Sequence, residues 1–331
     1  MRTLRLRSQQ VKLKPPGSLD FTLHGFFIVF SLMRVSDIDK RVEEGYKILG
    51  SCRLCGFECK VNRLKGEKGK CRSGKEIIIA SCNLHFGEEP PISGKKGSGT
   101  VFFTNCSLRC VYCQNYPISQ MGKGEKVSTV ELSEKFLNLQ KKGAHNLNLV
   151  TPTHFVPQIL EALSFAWDKG FVLPIVYNTS GYESEIALSL LDGVIDIYLP
   201  DMRYSEDDNA LKFSKAEGYV KINQRNIKEM FRQAGNLKLD STGKAISGVI
   251  VRHLVLPENV AGSLKTFEFL ANEVSDKIWV SLMGQYFPAY QAKNFPPLDR
   301  RIRKREYDLA LDYFNLSGLS SGWVQPEEFS E

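Results

Sequence analysis

The sequence predicts an α/β fold: a partial (β/α)6 barrel of parallel strands, preceded by a small N-terminal cysteine-rich metal module. Three observations predict it. From residue 100 onward, β-rich runs alternate with helical patterns through six units, as parallel βα repeats do. The residues after all six runs are polar, and a βα barrel does its chemistry at the C-terminal ends of its strands. Seven of the eight cysteines fall in two tight groups, 52–71 and 106–113. At that density, in a long chain without a secretory cleavage site, cysteine points to metal and a reducing compartment, hence the cytoplasm, and away from disulfides.

The chain divides into residues 1–32, residues 33–99 (a helix and the cysteine-rich module), residues 100–290 (the barrel) and residues 291–331 (a helical tail). Residues 1–32 have a basic start, a Pro-Pro-Gly break and an apolar stretch, Phe26 to Phe30, that is too short to span a bilayer. We expect a wrongly extended reading frame before Met33; the alternative is a small membrane- or partner-binding arm. The net charge of +7 hints at nucleic acid until it is located. Five cations against Asp20 put +4 of it in residues 1–32 and leave +3 for the rest. Neither nucleic acid nor a membrane is therefore expected as a partner. The run Arg300-Arg301-Ile302-Arg303-Lys304-Arg305 reads as a solvated face or a substrate-facing edge.

The elements follow in order. Ser36-Asp37-Ile38-Asp39 caps a helix whose apolar face carries Ile38, Val42, Tyr46 and Ile48. Cys82, in an Ile-rich run, is expected as a small buried hydrophobe on a strand. Strands are predicted over 101–104, 147–150, 173–177, 194–199, 248–255 and 278–282. Helices are predicted over 130–142 behind the capping box Ser128-x-x-Glu131, over 156–169 closed by Gly170, over 222–234 closed by Gly235, and over 306–316.

Cys52-x2-Cys55-x3-Cys59-x11-Cys71 supplies four thiolates in a compact segment, a closed set that suits structural zinc or an auxiliary iron–sulfur cluster equally. The neighbouring Lys60, Lys65, Lys68 and Lys70 are expected to lower the thiol pKa values. Cys106-x3-Cys110-x2-Cys113 is different, because no cysteine follows it. Three thiolates can hold three irons of a four-iron cluster and leave the fourth open. The bland alternative is zinc, completed by His145, His154 or His253.

The three-cysteine spacing, with Tyr112 directly before the third cysteine and Val101-Phe102-Phe103 before the first, resembles the signature of the radical SAM superfamily. That resemblance implies a [4Fe-4S] cluster held by Cys106, Cys110 and Cys113, the catalytic residues. It also implies S-adenosylmethionine on the open iron, cleaved reductively to a 5′-deoxyadenosyl radical under anaerobic conditions. The strand-end runs Thr151-Pro152-Thr153-His154, Asn178-Thr179-Ser180-Gly181, Pro200-Asp201-Met202-Arg203, Arg252-His253 and Met283-Gly284-Gln285-Tyr286 resemble the homologues of pyruvate formate-lyase activating enzyme that carry four extra cysteines. So do the loop Leu84 to Gly94 and the run Cys113 to Gln120.

By that resemblance Tyr112 lies near the adenine, Asn178 and Asp201 bind the amino end of S-adenosylmethionine, Arg203 its carboxylate, and Gln285 the methionine tail. His253 belongs to the same cofactor-binding rim. An electron donor such as ferredoxin or flavodoxin, and a glycyl-radical partner enzyme, are implied as well. Activating enzymes have Gly-Gly-Glu where this chain has Thr151-Pro152-Thr153, and lysine where it has Arg203, which offers a planar fork in place of a point charge. Two further readings stand: radical modification of a peptide or small metabolite using an auxiliary cluster, and a non-catalytic metal-stabilised binding module.

Overall fold

A computed structural model describes residues 37–325 of the 331. The expectation for residues 1–32, and Ser36 of the expected helix cap, lie outside the described residues.

The fold is mixed α/β around one mostly parallel sheet. Its strands are β1 (Ile77–His85), β2 (Ser98–Phe103), β3 (Glu125–Val127), β4 (Leu147–Val150), β5 (Ile175–Thr179), β6 (Ile197–Pro200), β7 (Lys238–Leu239), β8 (Ala245–Leu254), β9 (Trp279–Met283) and β10 (Gly322–Gln325). They pair in the order β10-β9-β8-β6-β5-β4-β2-β1-β3, with β7 beside β8. Every contact from β2 to β10 along that order is parallel. Strands β1, β3 and β7 are antiparallel additions.

Each of the six predicted strands is present, β4 with the predicted bounds and the others with shifted ends; β5 and β6 begin later than expected, after Pro174 and after the turn in which the Val194 N–H bonds the Leu191 carbonyl. The helix Thr129–Lys141 carries the full capping box between Ser128 and Glu131. The helices Val156–Asp168, Tyr219–Ala234 and Lys304–Leu316 match their sequence patterns. The C-terminal stretch is not wholly helical: Gly322–Gln325 joins the sheet beside β9, with Trp323 packed on Trp279 at 4.5 Å. Cys82 does lie on β1, but half-buried.

Strand alternation sorts the residues. Val176, Ile197, Leu199 and Ile250 share one face and form a small apolar cluster with Ile92 and Ala245. Tyr177, Tyr198, Val249, Val251 and Val280 point the other way, into the large core under the helices. Two residues beyond Val176, Leu199 and Ile250, on the inner face at the strand ends, stand Asn178, Asp201 and Arg252. Among the described residues no helix is long and apolar enough to cross a membrane.

Candidate active site at the strand ends

The three-cysteine loop leaves the C-terminal end of β2. Asn105 takes a left-handed φ of +72°, a turn that asparagine tolerates. The loop is anchored by the Arg109 and Val111 N–H groups, which donate to the Ser214 and Phe213 carbonyls at 2.9 and 2.8 Å. Cys110 is buried, and Cys106 and Cys113 are half-buried. The Ser214 hydroxyl donates to the Cys110 Sγ at 3.0 Å, and the Ser119 Oγ lies 3.0 Å from the Cys113 Sγ.

Burial pushes the Cys106 thiol up to about 12, reinforced by Cys110 and Cys113 and opposed by the Leu108 N–H. Burial raises Cys110 too, against the Arg203 guanidinium. Two thiols, Cys106 and Cys110, whose ionisation burial and the neighbouring sulfurs disfavour, set among hydroxyl, N–H and guanidinium donors, match a centre whose own positive charge deprotonates them. Among the described residues no group of three or more His, Cys, Asp or Glu side chains is arranged to hold a metal ion. Three thiolates can each bind a different iron of a four-iron cluster. The three histidines of the zinc alternative have other partners. His145 accepts the Lys96 N–H, His154 bonds the Thr104 carbonyl, and His253 is occupied elsewhere.

Facing the loop is a charge network centred on the buried Asp201 and Asn178. Arg252 donates from Nε to the Asp201 Oδ1 at 2.8 Å and from Nη2 to the Asn178 Oδ1 at 2.5 Å, and its Nη1 lies 3.7 Å from the Glu88 Oε2. Arg203 donates from Nη2 to the Asp201 Oδ2, while its Nε is buried without a partner. That orphaned donor, on a guanidinium that acts on the Cys106 and Cys110 thiols, suits an anionic group such as a carboxylate. Asp201 and Arg203, which the resemblance assigns to opposite ends of one ligand, are also paired with each other.

Tyr112 is buried against Tyr286 and accepts the Tyr204 hydroxyl at 2.8 Å. Gln285 is half-buried; its carbonyl accepts the Gln114 amide at 3.0 Å, tying the end of β9 to the cysteine loop. His253 does not join the set. It alternates to the outer face, where one ring nitrogen meets the Met202 carbonyl at 2.8 Å and the other the Ser263 hydroxyl at 2.9 Å. Burial lowers its pKa to about 4, and it is a satisfied core histidine. Thr153 donates to the buried Glu183 at 2.7 Å.

The four upstream cysteines line one small cavity with Leu54, Val61, Arg63, Gly69 and His154. Lys70 donates its N–H to the Cys59 Sγ at 3.3 Å, and Arg63 lies 3.8 Å from the Cys52 Sγ while donating twice to the Gly74 carbonyl. A Cβ on Gly69 would meet the Cys59 Sγ at 2.7 Å, so only glycine fits there. The expected lysines are all exposed, and the cation beside the thiols is the buried Arg63. Burial raises the Cys55 and Cys71 thiols, and at Cys71 Arg63 opposes it. Arg252 and Glu88 stand in runs that the sequence marks but assigns no role, and the period-2 step from Ile250 to Arg252 could have given Arg252 one; Tyr204 and Ser214 were missed.

No family model matches the chain. Over 288 residues it is 32% identical to "Uncharacterized protein MJ0674" of Methanocaldococcus jannaschii, an alignment covering 83% of this chain and 77% of that protein. The chain belongs to the MJ0674 family. The name MJ0674 states no activity, so the chemistry of this family member rests on its own residues.

Proposed function

We propose that this chain is a radical SAM enzyme built on a partial (β/α)6 barrel at residues 100–290, with residues 33–99 as its metal module, working in the cytoplasm with ferredoxin or flavodoxin as electron donor. One observation carries this: Cys106, Cys110 and Cys113 leave the C-terminal end of a parallel strand and share that rim with Arg203, Asp201, Asn178 and Arg252. Cys106, Cys110 and Cys113 would hold three irons of a [4Fe-4S] cluster. When bound, the cluster supplies the electron that cleaves S-adenosylmethionine to methionine and a 5′-deoxyadenosyl radical, which abstracts hydrogen from the substrate.

The protein's part is to place and shield. Arg203 offers its unpartnered Nε to the methionine carboxylate, Asp201 and Asn178 take the ammonium, and Arg252 keeps both of those oriented. Tyr112 and Tyr286 wall the adenine side, and Gln285 borders the methionine tail. Ser214 and Ser119 donate toward the thiolates. The job proposed is activation of a glycyl-radical partner enzyme; modification of a peptide or small metabolite is the second reading, favoured by the closeness of the four-cysteine cavity to the cluster loop.

The test is anaerobic reconstitution with iron and sulfide, iron counting, and a 5′-deoxyadenosine assay with S-adenosylmethionine and dithionite. About four irons mean one cluster and about eight mean two. Replacing Cys106, Cys110 or Cys113 by alanine should abolish 5′-deoxyadenosine formation; retained formation in any of the three would refute the assignment.

A further inference from the structure

The two cysteine groups meet at one tripeptide. Cys71 lines the four-cysteine cavity, and the next two residues both turn to the other site. Arg72 donates from Nη2 to the Ser119 carbonyl at 3.4 Å and to that of Gln120. Those two residues hold the three-cysteine loop: the Ser119 Oγ lies 3.0 Å from the Cys113 Sγ, and the Gln120 amide donates to the Leu108 carbonyl at 3.2 Å. Ser73, also buried, accepts the Asn105 Nδ2 at 3.1 Å, and Asn105 directly precedes Cys106. From the other side of the cavity, His154 bonds the Thr104 carbonyl at 2.8 Å and leaves its Nδ1 buried and unpartnered. Three separate hydrogen-bonded links thus run from the wall of one thiol site to the backbone or the thiols of the other.

We propose that a thiolate-bound soft metal centre in the four-cysteine site clamps the three-cysteine loop in its cluster-binding shape, with Arg72 and Asn105 as positioning residues. This rests on the proposed function for the cluster loop. A bound metal fixes Cys71, and Cys71 fixes its neighbours Arg72 and Ser73. These in turn fix the chain at both ends of the loop, at Asn105 and at Ser119-Gln120. Outer partners of this kind orient metal ligands they never touch the metal through. Arg72 and Asn105 both take left-handed φ values, +59° and +72°. Glycine at either position keeps the backbone and deletes only the link.

The experiment compares the full-length chain with Arg72→Gly and Asn105→Gly, reconstituted anaerobically in two arms: iron plus sulfide alone, and zinc supplied before iron and sulfide. After chelator challenge, thiol alkylation is followed at each cysteine by mass spectrometry. Both variants should expose Cys106, Cys110 and Cys113 roughly 10- to 100-fold faster than the parent, the range for losing an outer partner of a metal ligand. Cys52, Cys55 and Cys59 should keep the parent's rate, and Cys71→Ser should open both groups. Coupling in the zinc arm identifies a single-ion clamp, and coupling only with iron and sulfide identifies a second cluster. Parent rates at Cys106, Cys110 and Cys113 in both glycine variants would overturn the clamp alone. If the parent protects those three cysteines in neither arm, the clamp and the proposed function fall together.

Discussion

Arg252 on β8 and Asp201 at the end of β6 are joined by an Nε–Oδ1 hydrogen bond of 2.8 Å on the inner face of the sheet. The same guanidinium reaches Asn178 from β5, so one side chain ties three neighbouring strand ends. A planar fork with several donors can do this, and a lysine cannot. Arg252→Leu should destabilise the protein by roughly 3–5 kcal/mol, because it strips a partner from a buried carboxylate. Urea unfolding of the metal-free chain measures it; a loss under about 1 kcal/mol would mean that Arg203 alone suffices for Asp201.

Asp201 also holds Arg203, so its loss takes the carboxylate partner from Arg203 and leaves Arg252 with Asn178 and Glu88. Under the proposed function, Asp201→Asn should weaken S-adenosylmethionine binding by about 1–3 kcal/mol while the three-cysteine cluster still assembles. Arg203→Lys should cost less, since the charge is kept. Calorimetric titration of the reconstituted variants decides it, and unchanged affinity in Asp201→Asn would remove this strand end from the cofactor site.

His253 separates a structural role from a binding one. Its pKa is lowered from 6.5 to about 4, first by burial, with the Met202 carbonyl opposing. A depressed folded pKa means that the neutral ring contributes stability above pH 6.5, and that this is lost as pH falls toward about 4. His253→Gln should therefore be less stable than the parent at pH 7, and the gap should narrow across that window. Thermal unfolding at several pH values shows whether it does. Binding of S-adenosylmethionine should be unchanged.

The sheet was legible because parallel strands buried on both faces read as apolar runs and because helix starts and stops carry their own residues, as Ser128 and Glu131 do. The strand β10 was not, since Gly322–Gln325 is too short to show alternation. The four upstream cysteines do line one cavity, yet the lysine-rich segment pointed to the lysines around Cys59 where the buried cation is Arg63. Burial is a tertiary property, and a lysine-rich segment says nothing of which cation is enclosed. His253 was misplaced for a related reason: a strand end alternates faces, and Arg252 took the inner one.

The basic run at residues 300–305 is partly consumed within the fold. Glu306 accepts two hydrogen bonds from Arg300, at 2.9 and 2.7 Å, and one each from the Arg303 and Glu258 N–H groups, at 2.7 and 2.8 Å. Burial acts to raise its pKa, but these donors outweigh it and bring the carboxyl down from 4.5 to about 2. With the folded value depressed, stability from Glu306 is complete above pH 4.5 and drains as pH falls toward about 2. Glu306→Gln keeps the shape and one acceptor but loses the charge, so it should cost about 1–3 kcal/mol at pH 7. Urea midpoints of parent and variant should differ most at neutral pH and converge below pH 4.5. A difference independent of pH would mean that packing around the helix Lys304–Leu316, and not the Arg300–Glu306 pair, holds this corner.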